Sequence, residues 1–435
     1  MTPQNWEIRP VTVTGRVPLL FSTYTSRRFL SLKGPIQPKD ILLQMDRELH
    51  VKVFREIADL ETIRPIWESW PGNRDSELDS YLTFLRSNPG SVRPHVVVVY
   101  RDAAPDAILV GRMDIDSIRC RLGYLRLDLP AKILCFVYGA LRGNPSRENC
   151  DLIVNSILES LSSREADAAY MNFVRQDSDL CRLSLKKPSP LSRDYVQITQ
   201  PHFAATLPAS VESFYKGLSS GARWQTKNKQ KKLLKAYGDK ATIRCFRDGS
   251  ELDAMVQDLE YVAKKSYQRG LGVGFNDGPE TRESLRLLAS KGRLRAYVLY
   301  LADRPCAFWV GDINGNTFGS DWLAFDSEFA KYSPGMFLIL KVIEGFCDGN
   351  REGVTAVDFA TGHAQYKEVL SNQEWRETCS YIFAPTLKGI SLNFAWTLIG
   401  GMDKAIKKAL SSTGFLQRIK KGWRARARPQ EAAQG

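Results

Sequence analysis

The chain has 435 residues, of which 43% are hydrophobic and 25% are charged, as in soluble globular proteins. This composition excludes a wholly disordered, collagen-like or coiled-coil protein, and the length predicts about two to three domains. The longest uncharged apolar stretch, 389–402, is too short to cross a bilayer, which needs about 20 residues, and residues 1–10 show no secretory signal pattern. The eight cysteines are scattered without a Cys-x-x-Cys pair, which predicts reduced thiols, no metal site and a cytoplasmic location.

The net charge of +13 is concentrated at one end of the chain. Residues 385–435 contain ten Lys and Arg and two Asp and Glu, so 10 − 2 gives +8 there and leaves +5 for residues 1–384. The body is therefore only mildly basic, and its charge alone does not indicate nucleic-acid binding.

The first half has a regular pattern after an irregular start. Residues 1–48 carry Pro and Gly punctuation and are predicted to be an N-terminal extension with a short strand near 17–21. The elements predicted for 49–194 are, in order, a strand at 50–54, helices at 57–70 and 75–87, strands at 95–100, 107–113 and 133–138, a helix at 149–163 and a strand at 168–174.

The second half, 195–386, repeats this order after a basic helix at 211–237. The predicted elements are a strand at 242–247, helices at 250–269 and 280–291, strands at 295–301, 306–312 and 317–325, an apolar helix at 334–347, a strand at 354–360, a short helix at 364–370 and a strand at 376–383. Both halves therefore follow β–α–α–β–β–β–α–β, which predicts two similar domains followed by a tail at 387–435.

The most informative segment opens the apolar helix with Ser333, Pro334 and Gly335. Serine is a favoured N-cap and proline suits the first helical position. Glycine lets a ligand approach the backbone closely, and the free amides of a helix start favour a phosphate. This segment predicts either an anion-binding helix start or an ordinary one.

A second segment follows closely. Asp358 interrupts the apolar strand at 354–360, where a buried carboxylate is costly unless it is paired or functional. Gly362 ends that strand, and Tyr366 and Lys367 lie on the next helical turn.

Together with the strand order, these motifs resemble the GNAT acyltransferase superfamily, in particular its BcsL/CelD-like, cellulose-biosynthesis-type branch, which is related to FemA and FemB. The resemblance implies an α/β (α+β) fold of tandem GNAT-like domains, each a mixed, mostly antiparallel sheet flanked by helices. It also implies an acetyl-CoA or other acyl-CoA co-substrate, no metal, and direct attack by an amine or hydroxyl of a sugar, polysaccharide or envelope-related acceptor. The second domain would be active and the first a degenerate partner that completes the acceptor cleft.

The resemblance assigns roles to particular residues. Ser333, Pro334, Gly335 and Met336 would hold the CoA pyrophosphate, although the usual Gly-rich pyrophosphate loop is absent here. Tyr366 would protonate the leaving thiolate, a reasonable task for a phenol.

The remaining implied roles concern the sheet and the acceptor. Asp358 would shape the parting of the sheet, and Asp321 or His363 would act as general base unless water does. The implied acceptor-binding residues are Arg223, Lys227, Trp309, His363 and Lys367.

Two basic segments leave alternatives open. Arg223, Lys227 and Lys231 share one helix face. This face could bind an anionic acceptor or CoA phosphates, or it could simply be solvated. In a Fem-like aminoacyltransferase it would bind transfer RNA. The tail alternates apolar and basic residues, which predicts either an amphipathic segment on the inner face of a membrane or a helix packed on the sheet. A further alternative is a catalytically inactive scaffold.

Overall fold

The computed structural model describes residues 49–412 except 89, 124, 271, 272 and 349–351, and of 407–412 it describes only the helical backbone. The strand predicted near 17–21 and the tail beyond 412 lie outside the described residues. Within them, no helix is both long enough and apolar enough to cross a membrane.

Helices and strands alternate along the described chain. The helices are α1 (Ile57–Thr62), α2 (Arg64–Ser69), α3 (Leu78–Ser87), α4 (Arg147–Ser162), α5 (Asp179–Lys186), α6 (Val211–Gly217), α7 (Ser220–Tyr237), α8 (Leu252–Lys264), α9 (Tyr267–Gly270), α10 (Pro279–Ser290), α11 (Pro334–Cys347), α12 (Gln365–Leu370) and α13 (Leu387–Ser412). The strands are β1 (Leu49–Phe54), β2 (Ser91–Pro94), β3 (Val96–Arg101), β4 (Ala104–Leu122), β5 (Leu125–Gly143), β6 (Ala168–Arg175), β7 (Ile198–Thr206), β8 (Ala241–Phe246), β9 (Leu294–Leu301), β10 (Arg304–Asn314), β11 (Thr317–Phe325), β12 (Ala356–Thr361) and β13 (Gln373–Phe383).

The described strands join in one sheet made of two similar halves. Strands β1, β3, β4 and β5 are antiparallel neighbours, and β6 pairs with β5 in parallel. Strands β8, β9, β10 and β11 repeat that arrangement, and β12 pairs with β11 in parallel. The predicted fold class, with mixed, mostly antiparallel strands flanked by helices in each half, is confirmed, and the two halves share one sheet.

The two halves are joined by exchanged strands. Strand β7, which links the halves in sequence, pairs with β12, and the last strand, β13, pairs with β6. β7 and β13 also pair with each other. The centre of the sheet is therefore built from both halves, and side chains from both meet there.

Strand alternation explains why the second half buries both faces of its sheet. Successive strand residues point to opposite faces, and β9 accordingly supplies two different cores. Tyr297, Leu299 and Leu301 pack with α11, whereas Leu294, Ala296 and Val298 pack with α8 and α10.

Several elements differ from the sequence predictions. The hairpin of β4 and β5 is far longer than predicted, because charged residues alternate along its exposed stretch and conceal the strand pattern. The basic helix predicted at 211–237 breaks into α6 and α7 at Leu218. Strand β7 and helix α5 were not predicted at all.

Candidate functional site

The sheet of the second half parts between β11 and β12. These strands pair only from Thr317 to Gly319 on β11 and from Ala356 to Asp358 on β12. Strand β11 continues to Phe325 without this neighbour, while β12 carries an irregularity between Asp358 and Thr361 in its pairing with β7. The parting of the sheet therefore begins at Asp358.

Helix α11 starts at the far end of β11. A methyl group on Gly335 would lie 3.4 Å from the Phe325 ring, so the helix start contacts the end of the strand. Ser333 is the N-cap but has a left-handed backbone (φ 53°), and its side chain makes no capping hydrogen bond. Ser333 is therefore the N-cap residue, as predicted, but its hydroxyl does not cap the helix. Pro334 and Gly335 are buried.

Tyr366 lies beyond the end of β12, on α12. Its ring packs edge-on against Phe359, with ring centroids 6.0 Å apart, and it contacts the core of the second half. Burial and the nearby Tyr267 phenol raise the pKa of Tyr366. The phenol therefore keeps its proton at neutral pH, as a proton donor requires.

A charged cluster lies at the start of the parting. Asp358 Oδ1 is 2.6 Å from His202 Nε2, and Glu377 Oε2 is 3.2 Å from His202 Nδ1. These three residues come from β12, β7 and β13, the strands that the exchange brings together. His202 is only 1% exposed, whereas the side chain of Asp358 is 32% exposed and reaches solvent.

The environment of His202 favours its charged form. Burial by itself lowers the pKa of His202, but the hydrogen bonds with Asp358 and Glu377 outweigh burial and raise the pKa to about 9. The imidazole is therefore an imidazolium at neutral pH, which suits it to fixing two carboxylates rather than to accepting a proton.

Two aromatic residues complete this cluster. The Trp375 ring stacks on His202 at 4.3 Å, and its indole Nε1 donates to Glu377 at 2.8 Å. Tyr138, from β5 of the first half, donates its hydroxyl to Glu377 at 3.1 Å. Burial and the charges of Glu377 and Asp358 raise the pKa of Tyr138. The cluster is thus anchored in both halves.

Lys367 holds the irregular end of β12. Its ammonium donates to the carbonyls of Ala360 and Thr361, at 3.1 and 2.7 Å. Ala360 has φ of 60°, so its backbone is strained, and Lys367 secures that conformation. Burial lowers the pKa of Lys367 to about 8, against the attraction of Asp358. The implied role of Lys367 in acceptor binding is corrected, because the ammonium is buried and engaged.

Asp321 joins the two halves. Both of its carboxylate oxygens accept from Arg74, at 2.7 and 2.9 Å, and Arg74 belongs to a 3-10 turn between α2 and α3. Arg74 also donates to Asp312 at 3.2 Å. Burial raises the pKa of Asp321, and the Arg74 charge opposes that rise. Because Arg74 occupies both oxygens, we assign Asp321 to the contact between halves and not to the role of base.

A cavity of about 280 Å³ lies along this contact. The first half contributes Arg74, Asp75 and Tyr138, so the cavity touches both charged groups described above. Helix α10 of the second half contributes Glu280 and Ser284. We call this space the seam cavity. Charged, hydroxyl and aromatic side chains line it together, as in sites for polar organic molecules.

The other implied acceptor residues do not converge. Trp309 is fully buried and donates to Ser320 Oγ at 2.8 Å, so its predicted contact with an acceptor is wrong. Arg223 donates to the carbonyls of Lys216 and Leu218 and thereby holds the end of α6. Trp309 therefore has a role in the core, and Arg223 has a role at the end of a helix.

The last two residues of that set are on the surface. The Lys227 ammonium lies 5.5 Å from the centroid of the Tyr215 ring. His363 is exposed, and its Nδ1 is 3.3 Å from Glu368 Oε1. Neither contacts the His202 cluster through a described hydrogen bond.

Sequence reasoning missed His202, Glu377, Tyr138 and Arg74. The position of Asp358 within an apolar strand was itself a signal, because a carboxylate there calls for a partner. The partner lies 156 positions away in sequence, on a strand that was not predicted, so no local pattern could identify it.

Comparison with known proteins agrees with this geometry. Residues 220–368 match the family model described as an acetyltransferase (GNAT) domain. The second half is GNAT-like. The matched segment runs from α7 to α12 and contains the parting of the sheet, the start of α11 and Tyr366.

A search of solved structures gave matches of low sequence identity. FemX is 12% identical, with a TM-score of 0.49 over 74% of this chain and 96% of that chain. A tandem GNAT protein from the clavulanic acid biosynthesis pathway is 11% identical, with a TM-score of 0.44 over 78% and 99%. A probable N-acyltransferase from Enterococcus faecalis V583 is 9% identical, with a TM-score of 0.37 over 79% and 74%. A search of curated proteins gave no match.

Proposed function

We propose that the chain is an acyl-CoA-dependent N- or O-acyltransferase whose donor site lies in the second half. The observation that carries this proposal is the parting of β11 and β12 after Gly319 and Asp358, with the start of α11 at the open end, inside the segment that matches a GNAT acetyltransferase domain. The match supports a transferase, and the parting supports a slot for an extended co-substrate arm.

The residues at the start of α11 fit a pyrophosphate. The Ser333 hydroxyl leaves the first helical amides without a side-chain cap, and such amides favour an anion. Ser333, Pro334, Gly335 and Met336 would therefore hold the CoA pyrophosphate, and bound acyl-CoA would supply the activated thioester.

Tyr366 is the proposed proton donor to the departing sulfur. Its raised pKa keeps the phenol protonated until a thiolate, itself a strong base, needs the proton. Asp358 is the proposed orienting carboxylate, because His202 and the Ala360 amide, 2.7 Å away, fix it at the start of the parting while part of it faces solvent.

The seam cavity is the proposed route for the acceptor. Its mixed lining would suit an amine- or hydroxyl-bearing sugar, polysaccharide or envelope-related compound. The BcsL/CelD-like assignment is part of the same proposal, and it rests on the motifs at Ser333–Gly335, Asp358 and Tyr366–Lys367 rather than on the geometry.

Isothermal titration calorimetry with CoA, acetyl-CoA and longer acyl-CoAs tests the donor site. We expect Gly335→Ala to weaken binding about fivefold or more, because the added methyl group would lie between the start of α11 and the Phe325 ring, at the open end of the parting. Gly345→Ala in the same helix is the matched control, since its methyl group would meet nothing within 4 Å. Absence of heat with every acyl-CoA would favour the inactive scaffold and contradict the proposal.

A Fem-like aminoacyltransferase that uses aminoacyl-tRNA is the second candidate. It is favoured by α7, which exposes Lys227, Lys231 and Lys235 together with Trp224, 68% exposed. Basic side chains bind phosphates, and an exposed aromatic ring stacks on unpaired bases. Salt-sensitive binding of charged tRNA that Trp224→Ala weakens, with no binding of acyl-CoA, would establish this candidate instead.

A further inference from the structure

Helix α13 is held against the molecule by one face. Leu392, Trp396 and Ile399 pack against the long hairpin of β4 and β5. Trp396 Nε1 donates to Asp194 at 2.9 Å, and the amide of Asn393 donates to the carbonyls of Leu191 and Arg193, both at 2.9 Å. This face confirms the sequence alternative of a helix packed on the sheet.

The opposite face of α13 is apolar and exposed. Leu387 is 89% exposed, Phe394 70% and Leu398 51%, and Met402 and Ile406 continue the series. Their spacing of seven, four, four and four residues places them on one side of a helix. We call these five residues the outer stripe.

Charged residues lie beside the outer stripe and not within it. Lys388 pairs with Asp167 at 2.6 Å, and Asp403 accepts from the Gly123 amide at 3.0 Å on the packed side. Lys404 is exposed at the flank. Side chains of this size exposed in a row have no role in the fold, so the outer stripe indicates a docking surface.

The charge near the outer stripe indicates what binds to this surface. Beyond Ile406 the sequence adds eight basic residues and one acidic residue. A second copy would bring its own +8 from residues 385–435 against this one, whereas an anionic bilayer would attract that charge. Apolar side chains on one face with basic residues alongside are the pattern of helices that lie in the membrane interface.

We propose that α13 docks the protein on an anionic lipid bilayer, with the outer stripe inserted among the headgroups and the net charge of +8 in residues 385–435 attracted by anionic lipids. The packed face would keep the body fixed above the bilayer, with the long hairpin of β4 and β5 beside it. This inference is independent of the acyl-transfer proposal, since it uses none of the residues at the parting of β11 and β12.

Vesicle co-sedimentation of the full chain tests the proposal. We expect binding to vesicles of phosphatidylcholine with phosphatidylglycerol, weaker binding to phosphatidylcholine alone, and loss of binding at raised salt. Phe394→Asp combined with Leu398→Asp should weaken binding by about tenfold or more, with an unchanged circular dichroism spectrum because both residues are exposed.

Val273→Asp is the control, since Val273 is an exposed valine in a loop of the second half and should leave binding unchanged. Absence of binding to anionic vesicles would overturn the proposal. So would a dimer in solution, seen by analytical ultracentrifugation, that the double variant converts to a monomer, because the outer stripe would then belong to a second copy.

Discussion

The two halves of the sheet have the same plan but end their parallel strand pairs differently. In the first half, β5 and β6 separate after Phe136 and Met171, and Met171 is buried and apolar. In the second half, β11 and β12 separate after Gly319 and Asp358, and Asp358 belongs to a charged cluster. The parting therefore begins at a buried apolar residue in the first half and at a charged residue in the second.

The first turns of α4 and α11, the helices that follow β5 and β11, also differ between the halves. Helix α4 is capped by the Ser146 hydroxyl, which accepts from the Asn149 amide at 3.2 Å. The Asp106 carboxylate accepts from the Asn149 side chain at 2.8 Å and places a negative charge near that end. Helix α11 has neither feature. The two halves therefore differ both at the parting and at the helix start, which is the difference that the proposed donor site in the second half requires.

Removing the charged partner in the second half should have the largest effect. His202→Gln would leave Asp358 and Glu377 without their buried cation, and we expect a loss of about 3 kcal/mol in the free energy of unfolding. Urea denaturation measures it. His50→Gln, at an exposed position on β1, is the control and should change stability by less than about 0.5 kcal/mol. Equal effects from the two variants would show that the cluster is not held by His202.

The pH dependence of stability should report the same residue. A folded pKa of about 9 for His202, above an unfolded value of about 6.5, means that the charged form is stabilised by folding. The contribution, up to about 3 kcal/mol, is fully present below about pH 6.5 and is lost as the pH rises through about 9. We expect the gap in stability between the wild type and His202→Gln to close over that range, and a gap independent of pH would contradict the assignment.

Loss of the proposed proton donor should affect turnover and leave binding intact. We expect Tyr366→Phe to lower the rate of acetyl-CoA consumption about ten- to a hundredfold, with unchanged affinity for acetyl-CoA. The loss of thioester ultraviolet absorbance, with hydroxylamine as a small general acceptor, measures this rate. Tyr267→Phe is the control and should cost less than about threefold, because Tyr267 acts only on the pKa of Tyr366. Full turnover by Tyr366→Phe would contradict the assignment of Tyr366 as the proton donor.

The smallest expected effect is a difference in stability between serine variants at the starts of α4 and α11. Ser146→Ala should lower the free energy of unfolding by about 1 kcal/mol, because it removes a cap. Ser333→Ala should change it by less than about 0.5 kcal/mol, because that hydroxyl caps nothing. Thermal or urea unfolding of both variants makes the comparison, and similar losses would mean that the two helices begin alike.

The sequence predicted most elements of both halves, although not α5 or β7, because hydrophobic periodicity and turn residues are local signals. The apolar helix from Pro334 followed from a local pattern for the same reason, whereas the parting at Asp358 was implied by the family resemblance. The exchange of β7 and β13 could not be predicted, since the sequence of neither strand indicates which strands it pairs with. The partners of Asp358 and Asp321 could not be identified either, because only the tertiary fold brings His202 and Arg74 close to them.

The number of acetyl-CoA molecules that one chain binds tests the central claim most directly. Native mass spectrometry of the full chain across a range of acetyl-CoA concentrations would give this number. Since only α11 of the two compared helices starts without a side-chain cap, we expect one bound molecule per chain, reduced by Gly335→Ala and retained by Gly345→Ala. Two bound molecules, none, or one that Gly335→Ala leaves unchanged would contradict the assignment of the donor site to the second half.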